Sequence, residues 1–104
     1  MSQYSDNYNW LISNFGDVMN AHQELGRTLR NAGPLDARHG HLIQLAAAAA
    51  NRSEGAVHSH VKRALDAGAT AEEIYHALVL LTSTVGFPTV AAALCWAREI
   101  IEDK

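Results

Sequence analysis

Residues 51–68 of the chain, NRSEGAVHSHVKRALDAG, hold two of its six histidines and predict the helix around which the other helices are arranged. We expect this helix to begin at Ser53, whose side chain can accept hydrogen bonds from the first backbone N–H groups. We expect it to end at Gly68, because glycine readily adopts the left-handed conformation that closes helices. At about 100° per residue, one face is small and apolar, and the charged side chains point away from it. That face carries Ser53, Ala56, Val57, His60, Val61 and Ala64.

The two histidines of this predicted helix lie on different sides of it. His60 lies in the middle of the apolar face, whereas His58 falls on roughly the opposite side, near Glu54 and Lys62. The HSH triplet is therefore not a ready-made two-histidine metal site. His60 itself has two interpretations, which are a packed core residue and a reactive ring that lines a small cavity.

The composition limits the classes of protein to which the chain could belong. We expect 104 residues to form one domain, and a 48% apolar, alanine-rich chain to gain stability as a homo-oligomer. A net charge of −3 without a basic stripe argues against a nucleic-acid partner. No apolar run is long enough for a bilayer, and the first ten residues lack signal-peptide features, so the predicted location is cytoplasmic, with no membrane partner.

Cys95 is the only cysteine in the sequence. The chain therefore cannot form an intramolecular disulfide, a CxxC pair or a thiolate zinc cluster. Cysteine is among the most frequently buried residue types, so we expect Cys95 to be a small core residue.

Helical periodicity continues on both sides of the central segment. Residues 8–32 predict a first helix that Gly16 could interrupt, after a largely polar segment of seven residues outside it. Asp36 is the expected N-cap of a second helix that reaches about Asn51. His39 and His41, at its start, have a simple interpretation as solvated residues of the first turn.

The second half of the chain predicts two more helices. Thr70 and Glu73 have the spacing of a capping box, which would begin a fourth helix that continues to Gly86. Pro88 suits the first turn of a last helix. No strand pattern occurs, so the predicted fold is all-α, a single domain of about five helices.

Several of these segments together resemble the carboxymuconolactone decarboxylase and alkyl hydroperoxidase D-like family. The similarity is strongest over residues 35–102. It is carried by LDARHGHLIQLAAA (35–48), His60-x-x-x-Ala64-x-x-x-Gly68, AGATAEEI (67–74), Gly86-Phe87-Pro88 and ALCWAREII (93–101). The resemblance implies an all-helical protein that assembles as a homo-trimer or homo-hexamer, with active sites near subunit contacts.

The hydroperoxidase branch of this family implies a peroxiredoxin activity whose thiols are absent here. Its CxxC pair would occupy the positions of Ser53 and Ala56, its glutamate the position of His41, and its proton-relay histidine the position of His60. Serine and alanine cannot perform thiol chemistry, so we do not expect classical thiol peroxidase activity. The decarboxylase branch implies a histidine at the place of His60 that acts as a general acid or base, preceded by a carboxylate where this chain has Ala56.

The leading hypothesis is an acid/base pocket around His60, assisted by His41 or Ser53, for a small carboxylate, lactone or carbonyl compound. Such a protein would be a lyase or decarboxylase-like enzyme, with no cofactor. The alternatives are an oligomeric module that binds a ligand or metal without turnover, a peroxidase that uses Cys95 alone, and a structural partner protein. A metal would require His39 or His41 to converge with His60 or with the Glu54 and His58 pair, because divalent ions need three or four ligands.

Overall fold

The computed structural model describes the backbone of residues 3–103 and the side chains of residues 6–103. Within that range the chain is helical and contains no strand, which confirms the all-α prediction. The helices are α1 (Gln3–Asn14), α2 (Gly16–Arg30), α3 (Ala37–Ala50), α4 (Glu54–Asp66), α5 (Ala71–Val79), α6 (Thr82–Val85) and α7 (Phe87–Ile101). The described residues thus form seven helices rather than five, because two of the predicted helices are divided.

The described chain forms two compact units with a boundary between Leu35 and Asp36. The first unit contains α1 and α2, and the second contains α3 to α7. All of the candidate site residues belong to the second unit. That residues 1–104 act as one domain stays a prediction.

The first unit begins earlier and is more exposed than its periodicity predicts. Helix α1 already begins at Gln3, whereas residues 1 and 2 lie outside the described range. The division falls at Phe15, whose backbone leaves the helical region (φ −137, ψ 48), one residue before the expected Gly16. No residue of α2 is buried, so its periodic apolar side chains remain accessible.

Several helices of the second unit begin or end at residues that favour helix ends. Asp36 caps α3 by accepting a hydrogen bond from the backbone N–H of His39 at 2.9 Å. Gly68 adopts a φ of +99° after α4, as a helix-closing glycine does. Ser53 precedes α4 as predicted, but its side chain makes no capping hydrogen bond, which corrects the role expected for its hydroxyl.

The predicted fourth helix divides at Leu80 and Leu81, although no glycine or proline lies between residues 71 and 85. The backbone tightens there, because Leu81 N–H donates to the carbonyl of Leu78, three residues earlier. The Thr82 hydroxyl donates to the carbonyl of Val79 at 2.7 Å and so satisfies an acceptor that the helix end leaves open. Helix α6 then forms a separate short turn.

The core of the second unit is built largely from small side chains. Its buried apolar cluster consists of Leu45, Ala48, Ala49, Val57, Val61, Ala64, Ala69, Ile74, Leu78, Ala93 and Ala97. Six of these eleven residues are alanine, so α3, α4 and α7 contact one another with little side-chain bulk between them.

Ile43 and Cys95 both lie outside the core, and for Cys95 this corrects the expectation that it is buried. Ile43 is 55% exposed on α3. Cys95 is exposed on α7, because Val90, Ala93 and Ala97 occupy the buried side of that helix at helical spacing. The lone thiol is therefore a surface group.

No helix in the described part of the chain combines the length and the apolar character that crossing a bilayer requires.

Candidate functional site

Helices α3 and α4 bring His41 and His60 together. These two helices pack on each other more extensively than any other pair, and only a three-residue turn joins them. His41 lies ten residues before Asn51 at the start of that turn, and His60 lies seven residues after Ser53 at its end. At about 1.5 Å per residue, the two positions are within about one helical turn of the same level.

The turn between these helices is held from the side. Arg52 has a φ of 56°, an uncommon left-handed conformation for a residue other than glycine. Its guanidinium donates two hydrogen bonds, at 3.1 and 2.8 Å, to the hydroxyl of Thr89, a buried residue of α7. These hydrogen bonds attach the turn to α7 and so help to fix how α3 and α4 lie relative to each other.

The rings of His41 and His60 contact each other through their Nδ1 atoms, which lie 3.4 Å apart. Their centroids are 5.6 Å apart, and the ring planes are inclined by 40°. A hydrogen bond between two imidazole nitrogens needs an N–H on one ring and a lone pair on the other. The contact therefore couples the proton positions of the two rings.

The two rings differ in exposure. His41 is buried, at 6% of its full exposure, whereas His60 is half-buried. The interpretation of His41 as a solvated first-turn residue is therefore wrong. His60 is the member of the pair that retains access to solvent, and His41 supports it from the interior.

Ser53, the third predicted catalytic residue, is half-buried at the start of α4. Among the described residues, no hydrogen bond joins its hydroxyl to His41 or to His60. The direct contact in this predicted pocket is therefore the one between His41 and His60.

His58 lies near Glu54, as predicted, and also contacts a residue of another helix. It is buried, and its Nε2 atom lies 2.9 Å from Oε1 of Glu99 on α7. The helical rotation correctly separates it from His60, but its side of α4 packs against α7 rather than facing solvent. The sequence did not predict that this side of α4 is covered.

His58 belongs to a group of three side chains whose ligand atoms are close enough to bind one cation. Glu54, one turn earlier on α4, and Glu99 each offer a carboxylate oxygen, and the ligand atoms of all three residues lie within 4.8 Å of one another. Glu99 was not predicted, since it lies 41 residues from His58 and nothing in its local sequence marks it as the partner of a histidine.

His39, the remaining metal candidate, does not join this group. It is exposed on α3, and its Nδ1 atom lies 2.8 Å from Oδ1 of Asp36. The two hydrogen bonds that Asp36 accepts from His39, through the backbone N–H and through the ring, lower the pKa of the Asp36 carboxyl. This pair completes a helix cap rather than a metal-binding group.

The fold and the site define a small all-α protein. A pair of histidines, His41 and His60, lies between two closely packed helices, and a third histidine, His58, lies beside two carboxylates. A model of the carboxymuconolactone decarboxylase family matches residues 16–99, which is most of the chain. The chain therefore belongs to the carboxymuconolactone decarboxylase family. The match begins in α2, upstream of the motifs that carry the resemblance. Neither a curated protein nor a solved structure matches the chain significantly.

Proposed function

We propose that the protein acts on a small carboxylate, lactone or carbonyl compound by acid/base chemistry at His60, supported by His41. The observation that carries this proposal is the 3.4 Å contact between the two Nδ1 atoms, with one ring buried and the other half-buried. Imidazole is the side chain best suited to exchange a proton near neutral pH. No metal or redox group is required for that step.

The two histidines have separate roles in this proposal. His60 exchanges the proton with the ligand, because it is the more accessible ring. His41 positions it, since the Nδ1 contact fixes the tautomer and the orientation of the His60 ring, as a buried partner does in other histidine-based sites. Ser53 adds a hydroxyl that is not used for capping, near the N-terminal end of α4, where an anionic ligand is favoured.

A thiol peroxidase cycle does not fit these residues. Ser53 and Ala56 occupy the two positions at which the hydroperoxidase branch has its thiols, and Cys95 is the only cysteine of the sequence. Cys95 is exposed on α7, and no second thiol in the chain could resolve a sulfenic acid as an intramolecular disulfide.

We also propose that the protein is a homo-oligomer, with a trimer or hexamer as the expected form. Support comes from the first unit, in which Trp10, Phe15, Val18, Leu25 and Leu29 are each more than half exposed. Large exposed apolar side chains at this density are typical of surfaces that a partner covers. A second copy of the chain is the partner we propose.

The proposed function is tested by substituting His60. We expect a compound from a panel of small carboxylates and lactones to raise the midpoint of thermal unfolding of the wild type. In His60→Gln that stabilisation should disappear, with affinity at least about tenfold lower, because the ring that contacts the ligand is gone. The folding stability of the variant without ligand should be unchanged or higher, since functional residues are often suboptimal for stability.

His76→Gln is the matched control, because His76 is an exposed histidine on α5. It should retain both stability and ligand response. The role of His41 is read from ring ¹⁵N NMR signals, in which His41→Gln should shift the signals of His60 and leave those of His76 in place. If no compound shifts the wild type and His60→Gln loses ~1 kcal/mol or more of stability, His60 is a packing residue. A ligand that binds at His60 but is never converted would favour the non-catalytic binding module.

A further inference from the structure

A second group of polar side chains lies between α4 and α7, on the other side of α4 from His60. It consists of Glu54, His58 and Glu99. His58 is its interior member, with 11% of its side chain exposed, whereas the side chain of Glu99 is 53% exposed. The group thus offers one buried imidazole and two carboxylates, of which the Glu99 carboxylate is half-exposed. These ligands come from two different helices.

We propose that Glu54, His58 and Glu99 form a binding site for one divalent first-row transition metal ion, with Zn²⁺ as the reference ion. One imidazole nitrogen and two carboxylate oxygens are ligands that such ions accept. This inference does not rest on the proposed function, because it uses neither His41 nor His60.

The distances are compatible with such a site. Around a tetrahedral ion with bonds of about 2.0–2.1 Å, neighbouring ligand atoms lie about 3.3 Å apart. All three ligand atoms are already within 4.8 Å of one another, and His58 Nε2 and Glu99 Oε1 are at 2.9 Å. The widest pair, which includes Glu54, therefore exceeds that spacing by at most about 1.5 Å, a difference that rotation of the partly exposed Glu54 and Glu99 side chains can supply.

The charges also favour a divalent ion. Two carboxylates lie beside a single imidazole, so the three ligand groups together are suited to a cation. A doubly charged ion that binds neutral His58 balances both carboxylates. An ion bound to both His58 Nε2 and Glu99 Oε1 would replace the direct contact that these two atoms now make.

The three residues supply fewer than four ligands, and water would complete the coordination. Sites with three protein ligands and an open position are the arrangement in which a metal activates water or polarises a carbonyl oxygen. The His39 and Asp36 pair provides an internal comparison. It too joins a histidine to a carboxylate, at 2.8 Å, but it is exposed and belongs to no group of three.

The test uses the untagged full chain, stripped with a chelator and titrated with Zn²⁺ by calorimetry and with Co²⁺ by visible absorption. We expect one ion per chain, a Co²⁺ absorption band in the visible region, and a higher unfolding midpoint with metal. His58→Gln and Glu99→Gln should each weaken Zn²⁺ binding at least tenfold. His39→Gln and His60→Gln should bind as the wild type does.

Circular dichroism establishes that each variant is folded, and Glu99→Gln keeps the test informative if His58→Gln does not fold, because Glu99 is exposed. The proposal is overturned if the folded wild type binds no Zn²⁺ at millimolar concentration. It is equally overturned if Glu99→Gln binds as tightly as the wild type, or if the site is lost in His39→Gln. Loss of ligand response in His60→Gln with intact Zn²⁺ binding would separate the two proposals.

Discussion

Asp36 shows how one side chain links charge to the start of a helix. Its carboxylate accepts a backbone hydrogen bond and a ring hydrogen bond from His39, and both lower the pKa of the carboxyl below its ordinary 3.8. A carboxyl whose pKa is lower in the folded chain contributes stability above its unfolded pKa. That contribution is lost as the pH falls through the folded value.

We therefore predict that the loss of stability caused by Asp36→Asn, relative to the wild type, becomes smaller as the pH falls. Asparagine keeps an oxygen that can cap the helix but has no charge. The difference in unfolding free energy between wild type and variant should be constant near pH 5 and should shrink as the pH approaches about 2. Urea unfolding at a series of pH values measures it. A difference that stays constant over the whole range would show that the charge contributes nothing to the cap.

The positions of His58 and His60 show what helical periodicity can and cannot predict about one residue. Helical rotation correctly assigned them to different sides of α4, because that depends only on backbone geometry. The same rotation could not show that the second side is covered by α7, where His58 is buried. The partner of His58 is Glu99, on another helix, and no local pattern in sequence encodes a contact of that range.

At the scale of helices, the ends that carry their own signals were predictable. Asp36, Gly68 and Thr70 mark the ends of α3, α4 and α5 where the sequence predicts them, because caps act within one turn. The division between α5 and α6 was not predictable. It occurs at two leucines, which favour helix, so residue propensity does not account for it.

Helix α5 is nine residues long and depends on its N-terminal cap. The Thr70 hydroxyl accepts a hydrogen bond from Glu73 N–H at 3.0 Å, and Thr70 N–H donates to the Glu73 carboxylate at 2.9 Å. We predict that Thr70→Ala lowers the free energy of unfolding by about 1 kcal/mol. Thr70→Ser keeps the hydroxyl and is the control, with a smaller loss expected. Chemical denaturation of both variants compares them, and equal losses would assign the effect to the methyl group.

The same capping box extends beyond its own helix. Glu73 also forms an ion pair with Arg38 of α3 at 3.2 Å, with both side chains partly exposed. Partly exposed pairs of this kind contribute little on their own. The main effect of the capping box is therefore local to α5.

For the molecule as a whole, the exposed apolar side chains of α2 lead to a prediction about assembly. Val18, Leu25 and Leu29 lie within a narrow sector of this helix, and all three are more than half exposed. We predict a mass well above 11.3 kDa in sedimentation equilibrium at micromolar concentration. Leu25→Glu should shift the distribution towards the monomer by placing a charge in the apolar sector.

The control for assembly is Asn20→Glu, which adds the same charge on the opposite side of α2. It should leave the mass unchanged. A wild type that sediments as a monomer would contradict the prediction. Equal dissociation by both variants would place the contact elsewhere on the chain.

The alanines of the second unit's core have a consequence for how the sequence can change over evolutionary time. In a core of large side chains, most damaging mutations remove volume and leave cavities. Ala64, Ala93 and Ala97 are fully buried, and a larger side chain there would have to separate helices that now nearly touch. Drift at these positions is limited to residues no larger than alanine or serine, so variation between descendants of this chain should accumulate on its surface.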